Sequence, residues 1–166
     1  MVRRLALEKA SDVAVRRRNG IVIGADTVVV LKDHVLGKPR NTGEAASMLR
    51  MLSGRSHSVY TGVALVDARS EQATTFYERT RVTFRTISAT EIRKYVRSGS
   101  PLDKAGAYGI QDDFGAVFVE KVSGCFYTVV GFPLSRFTVE LPRFERHILS
   151  STKKVSRTWK RRSGSS

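Results

Sequence analysis

Between Ile21 and Leu31 the chain is β-branched and apolar, broken only by Gly24-Ala25-Asp26-Thr27. A run of this length and composition reads as a buried strand. Asp26 is the exception inside it. A carboxylate in core-like sequence either binds something or pairs with a buried partner, because an unpaired buried charge is very costly. Lys38, in the following Gly37-Lys38-Pro39, is one such partner.

The segments on either side read as a mixed α/β domain. Residues 3–18 place Leu5, Ala6, Ala10, Val13 and Ala14 at helical spacing and stop at Asn19-Gly20. Lys32-Asp33-His34 turns the chain, and Asn41 or Thr42 caps a helix through Leu52 with Ala45, Met48, Leu49 and Leu52 inward. Two strands follow, 58–66 and 74–87, expected as a hairpin pair. Ser88 or Thr90 caps a short helix over 91–97, closed by Gly99 and Pro101. Residues 103–111 read as a polar, glycine-dense loop. Residues 114–122 and 125–130 read as strands, and Pro133 opens a last helix with Leu134, Phe137 and Leu141 inward. The expected fold class is α/β: a mixed, twisted sheet with flanking helices and several antiparallel pairings.

Composition limits the classes open to such a chain. Its 166 residues are 41% hydrophobic and 27% charged, enough for one domain with an ordinary core. No apolar run approaches the roughly 20 residues of a spanning helix, so no membrane partner is expected. The single cysteine, Cys125, forms no internal disulfide and suggests no zinc site, which makes a reducing cytoplasm the expected location. A net charge of +14 raises nucleic acid as a partner. The charge is concentrated at the ends, however: residues 1–20 contribute +4 and residues 141–166 contribute +7, leaving +3 for the middle. That distribution reads as a surface helix and a basic, disordered tail, with a domain over 1–141 and the tail over 142–166. Nucleic acid is expected only through that tail.

Three polar islands interrupt the core-like sequence: Asp26-Thr27 with Lys38, Arg55 with His57 and Thr61, and Asp103-Lys104 with Gln111. They supply carboxylates and several cations, the inventory for a phosphate substrate, where cations hold the oxygens and a carboxylate activates water or holds a metal. Each island also has a plain structural reading. Asp26 and Lys38 can form an internal pair, Arg55 and His57 can solvate a turn after Gly54, and Asp103-Lys104 can be a surface ion pair of little energetic value. No Walker or Rossmann glycine loop is present.

Read in order, the islands carry longer motifs. Ile23-Gly24-Ala25-Asp26-Thr27-Val28-Val29, Gly37-Lys38-Pro39, the stretch 52–63 around Arg55, His57 and Thr61, Asp103-Lys104-Ala105-Gly106-Ala107-Tyr108-Gly109-Ile110-Gln111 and Val130-Gly131-Phe132-Pro133-Leu134 together resemble the Maf family of nucleoside triphosphate pyrophosphatases. The resemblance implies a Maf/Ham1-like fold with two lobes around a cleft and, usually, a homodimer. It further implies hydrolysis of a nucleoside triphosphate to the monophosphate and pyrophosphate, as a house-cleaning activity. It makes Asp26 the proton acceptor for water attacking the α-phosphate and the residue at a divalent metal, Mg²⁺ or Mn²⁺. Lys9, Lys38, Arg55, His57, Asp103 and Lys104 are carried over as substrate-binding residues.

Thr27 and Gln111 match the type that prefers dTTP and UTP, and a glutamine amide offers a donor and an acceptor to the imide edge of thymine or uracil. Relative to the family's pattern the chain starts inside a helix, so an opening strand and a Ser-x-Ser-Pro-Arg-Arg loop that grips the triphosphate are expected to be missing. Ser100 stands where the family often has an acid, and Asp112-Asp113-Phe114 replaces a more usual glycine. A catalytically weak, nucleotide-binding or regulatory relative linked to septum formation is the alternative expectation.

Overall fold

The computed structural model describes residues 1–111 and 114–162, with side chains through Ser151. Helix α1 (Val2–Ala14) leads into strand β1 (Ile21–Leu31), followed by β2 (His34–Leu36) and helix α2 (Thr42–Leu52). The hairpin of β3 (Ser56–Asp67) and β4 (Ala73–Phe84) precedes α3 (Ala89–Arg97). Beyond a set of 3₁₀ turns come β5 (Val119–Ser123), α4 (Phe126–Val130) and α5 (Leu134–Arg162). All pairings are antiparallel, in the spatial order β2-β1-β3-β4-β5. The mixed α/β class is as expected.

Side-chain alternation along β1 and β3 gives the sheet two differently covered faces. Gly24 pairs with Ala64 and Asp26 with Gly62 on the face that carries α1. That helix packs through Ala6, Ala10 and Ala14, spaced four residues apart, against Ala64 and Val66. Its approach is close: a Cβ on Gly24 would stand 2.2 Å from the Ala6 carbonyl oxygen, and one on Gly62 2.6 Å from Val2. Only glycine fits at either position.

The opposite face is covered in two parts. At one end α2, α3 and the 3₁₀ turns bury Leu49, Leu52, Phe84, Tyr95 and Phe118. At the other, α5 packs Phe137, Leu141 and Phe144 over Val63, Leu65 and Phe76. Local chemistry fixes the helix starts. The Asn41 side chain accepts from the Glu44 amide at 2.9 Å to cap α2, and Ser88 with Glu91 forms a capping box on α3.

Four segments depart most from the pattern-based expectation. The first helix ends at Ala14 rather than at residue 18, because its buried alanine stripe ends there and the three arginines beyond it are exposed. Strand β4 stops at Phe84, where the Arg85 amide turns to the Phe118 carbonyl and the Ile87 amide to Ser53 Oγ. The segment expected as a strand from Phe114 instead makes a 3₁₀ turn over Ala116–Phe118 before β5 begins. Its Phe118 side chain is drawn into the aromatic core against Tyr95, with ring centroids 5.2 Å apart. The segment expected as a strand over 125–130 is helix α4, for its ends are held: Thr80 Oγ1 donates to the Cys125 carbonyl at 2.8 Å, and Gly131 closes the turn at φ 115°. Tertiary contacts override the β propensity of its two valines.

Helix α5 runs across residue 141, the expected domain limit, and contains Pro142.

Candidate active site

A cleft of about 290 Å³ opens where the middle of β1, the C-terminal side of α1, the segment after β2, the 103–111 segment and α4 converge. Its polar lining is Lys9, Asp26, Thr27, Lys38, Asp103, Lys104 and Gln111; Tyr108, Ile110 and Val129 supply apolar walls. Seven of the nine residues expected at the site are therefore brought together from four separate segments.

Asp26 owes its position to the glycines beside it. Because Gly24 and Gly62 let α1 lie close to the sheet, the Lys9 ammonium reaches over the strand and donates to Asp26 Oδ1 at 2.5 Å. The partner of Asp26 is thus Lys9, not Lys38. The Asp26 side chain keeps 14% of its surface exposed and Lys9 keeps 58%, so the pair stands at the cleft wall rather than in the core.

The second cluster is held by a backbone clasp. The Gly106 amide donates to the Gly37 carbonyl at 3.0 Å, which sets Lys38 beside the Lys104 segment. Gly106 adopts φ +70° and lies so close to Val29 that a Cβ would meet its Cγ2 at 2.8 Å, so glycine is required on both counts. Lys104 Nζ donates to Asp103 Oδ1 at 2.7 Å and to the Ser100 carbonyl at 2.9 Å. The hydrogen bond from Lys104 holds the Asp103 carboxyl below its ordinary pKa, with a smaller contribution from the charge of Lys38. Three lysines face two carboxylates in the cleft, which leaves it cationic and suited to a polyanion.

Arg55 and His57 are not part of this lining. Arg55 is exposed at the entry to β3, seven residues before Gly62, the partner of Asp26. At about 3.3 Å per residue that puts it roughly 23 Å along the strand. His57 is buried on the core face of β3, edge-on to Phe84 with ring centroids 5.0 Å apart, and its Nε2 shares a 2.8 Å hydrogen bond with Tyr108 Oη. Burial pushes its imidazole down to about 4, and Nδ1 has no partner. The plain alternative for His57, solvation of a turn, is equally excluded.

Tyr108 is the residue that pattern reading missed. It sits inside the quoted 103–111 motif, but only the fold shows its ring in the cleft wall and its hydroxyl tied back to His57. Tyr95 Oη accepts from the Gly109 amide at 3.2 Å, a second anchor for the same segment. Asp112 and Asp113 lie outside the described residues. The chemistry of the cleft fits the expected metal: Asp26 and Asp103 are hard oxygen donors, and Mg²⁺ is commonly held by one or two carboxylates together with substrate phosphates. Among the described residues no group of three or more His, Cys, Asp or Glu converges.

Fold and cleft together define an antiparallel α/β domain that presents a carboxylate among lysines at the open middle of its sheet. The sequence model of the family described as Maf-like protein matches residues 1–144, and the chain belongs to that family. It is 50% identical over 148 residues to the dTTP/UTP pyrophosphatase of Bacillus mycoides (strain KBAB4), covering 89% of this chain and 76% of that protein. It is 50% identical over 145 residues to the dTTP/UTP pyrophosphatase of Bacillus cereus (strain G9842), covering 87% and 74%. Against the protein of the same name from Bacillus anthracis the identity is 51% over 144 residues, covering 87% and 74%.

Proposed function

We propose that the chain hydrolyses dTTP and UTP to the monophosphate and pyrophosphate, with Asp26 as the general base. The observation that carries this reading is a single carboxylate on the sheet, partly exposed, in a cleft whose other charged groups are Lys9, Lys38 and the Asp103–Lys104 pair. The names of the relatives supply the substrate class.

In this reading the triphosphate lies along the lysines and the base enters between Thr27, Gln111 and the apolar wall. A water beside Asp26 gives its proton to the carboxylate as its oxygen bonds to the α-phosphorus. The bond from that phosphorus to the bridging oxygen breaks, and pyrophosphate leaves with the electron pair. Lys9, Lys38 and Lys104 offset the charge that grows on the phosphate oxygens. Lys9 also holds Asp26 in place until substrate arrives, through the 2.5 Å contact. Asp26 is the residue that would hold Mg²⁺ or Mn²⁺; a bound divalent cation stabilises negative charge on phosphate oxygens as a Lewis acid.

The reading extends to a homodimer in a reducing cytoplasm. Among the described residues no helix is long and apolar enough to cross a membrane. The test is pyrophosphate release by purified protein with Mg²⁺ across dTTP, UTP, CTP, ATP and GTP. Preferential release from dTTP and UTP is expected; thermal stabilisation by dTTP without any turnover would replace the enzyme reading with a nucleotide-binding one.

A further inference from the structure

Asp26 and Thr27 are adjacent in a strand and so face opposite sides of the sheet. Asp26 looks toward α1 and Lys9, the phosphate end of the cleft. Thr27 looks toward the other face, where Thr61 stands directly opposite it in register. The two hydroxyls are 2.8 Å apart. Thr61 is fully buried and lies outside the cleft lining, and its Oγ1 donates to the Thr128 carbonyl of α4 at 2.6 Å.

These two contacts fix the direction of a proton. A carbonyl oxygen only accepts, and a hydroxyl carries one hydrogen, so the hydrogen of Thr61 is committed to Thr128. The contact between the threonines then has one workable sense: Thr27 donates and Thr61 accepts. Thr27 has no hydrogen left for the cleft and presents lone pairs alone. Gln111 carries no such constraint, for its amide offers donor and acceptor alike and can turn over to suit either pattern.

We propose that Thr61, through Thr27, sets the base preference: the locked acceptor selects a pyrimidine whose ring nitrogen carries a hydrogen, as in uracil and thymine, over cytosine, whose corresponding nitrogen is itself an acceptor. The substrate class rests on the pyrophosphatase reading above. Thr61 is a positioning residue, since it acts only by orienting the Thr27 hydroxyl. Two facing acceptors leave a desolvated lone pair unmatched, which is the penalty cytosine meets.

The test compares wild type, Thr61→Val and Thr61→Ser in kcat/KM for UTP and for CTP, with calorimetric binding of UMP and CMP alongside. Valine keeps the volume but frees the Thr27 hydroxyl to rotate and donate, so the UTP-to-CTP ratio is expected to fall roughly tenfold. Serine retains the hydroxyl and is expected to restore the ratio. A packing defect would instead lower both substrates together. A ratio unchanged in Thr61→Val, or lost equally in Thr61→Ser, overturns the proposal. If Thr61→Val does not fold, Thr27→Val decides, since it removes the acceptor and leaves the bond from Thr61 to Thr128: a fall of the same size supports the proposal and an unchanged ratio overturns it. Should the wild type hydrolyse neither nucleotide, the pyrophosphatase reading fails by itself, and the monophosphates decide this one. Tighter binding of UMP than CMP that disappears in Thr61→Val supports it; equal binding of the two, or binding of neither, overturns it.

Discussion

Replacing Gly24 by alanine tests whether close helix-to-sheet packing is what brings the cleft lysine to its carboxylate. The added Cβ would stand 2.2 Å from the Ala6 carbonyl oxygen and 3.0 Å from Ala10 Cβ. An ordinary carbon–oxygen contact is roughly 3.3 Å, so α1 must lift by about 1 Å. The carbonyl belongs to the helix backbone and has no rotamer through which to escape. Overpacking of this kind costs about 1–3 kcal/mol. For a chain of this size about 2 kcal/mol lowers Tm by roughly 4–8 °C. The same lift carries Lys9 away from Asp26, stretching the 2.5 Å contact beyond charge-assisted hydrogen-bonding range. A misplacement of about 1 Å at a reacting centre can cost up to about a hundredfold in rate. The assay pairs calorimetric unfolding with kcat/KM for UTP, in the wild-type background and in Lys9→Met. Gly24→Ala is expected to lower Tm in both backgrounds but to cost activity chiefly in the first, because the second has no ammonium to displace. An unchanged Tm would refute the packing argument, and an equal activity loss in both backgrounds would refute the route through Lys9.

Further perturbations probe other parts of the account. Burial holds the folded-state pKa of His57 at about 4 against an ordinary value of 6.5, so the unfolded chain binds a proton that the native chain excludes between those values. The stability this neutral imidazole contributes is complete above about pH 6.5 and is lost as pH falls toward 4, at up to about 1.4 kcal/mol per pH unit. Urea denaturation across that window should show a shallower acid loss in His57→Gln than in wild type, and identical slopes would contradict the buried placement. Lys104→Ala removes a proposed phosphate ligand and is expected to raise KM for UTP by about tenfold with a smaller effect on kcat; steady-state kinetics showing KM unchanged would exclude Lys104 from substrate contact. Chelation with EDTA is expected to abolish pyrophosphate release and added Mg²⁺ or Mn²⁺ to restore it, while full activity after exhaustive chelation would remove the metal from the scheme.

What the sequence disclosed depended on how local the signal was. The bounds of β1 are legible to the residue, since a β-branched run ending in a turn is self-contained. The caps of α2 and α3 are equally local, being set by Asn41 and Ser88 within one helical turn. The helix over 126–130 is not legible, because its two valines favour a strand and only contacts from Thr61 and Thr80, far away in sequence, hold it otherwise. The same reason hides the partner of Asp26. Lys38 is the obvious candidate along the chain, and Lys9 becomes the partner only once Gly24 and Gly62 admit α1 to the sheet. His57 sits in a motif-rich stretch between polar neighbours, yet strand alternation turns it inward beside Val59. Lys9 is placed at the site by resemblance alone, whereas the polar islands single out Lys38, Asp103, Lys104 and Gln111 but leave Lys38 open to an internal pair with Asp26 and Asp103–Lys104 open to a surface ion pair.

The most direct measurement of the central claim is pyrophosphate release from UTP by wild type and Asp26→Asn, with Tm recorded for both. Asparagine keeps the shape of the side chain but accepts a proton from water far less readily. The account predicts at least a hundredfold loss of turnover, on the order of what removing a general base costs, in a variant that still unfolds cooperatively and is still stabilised by UTP. A variant that releases pyrophosphate at the wild-type rate would contradict it.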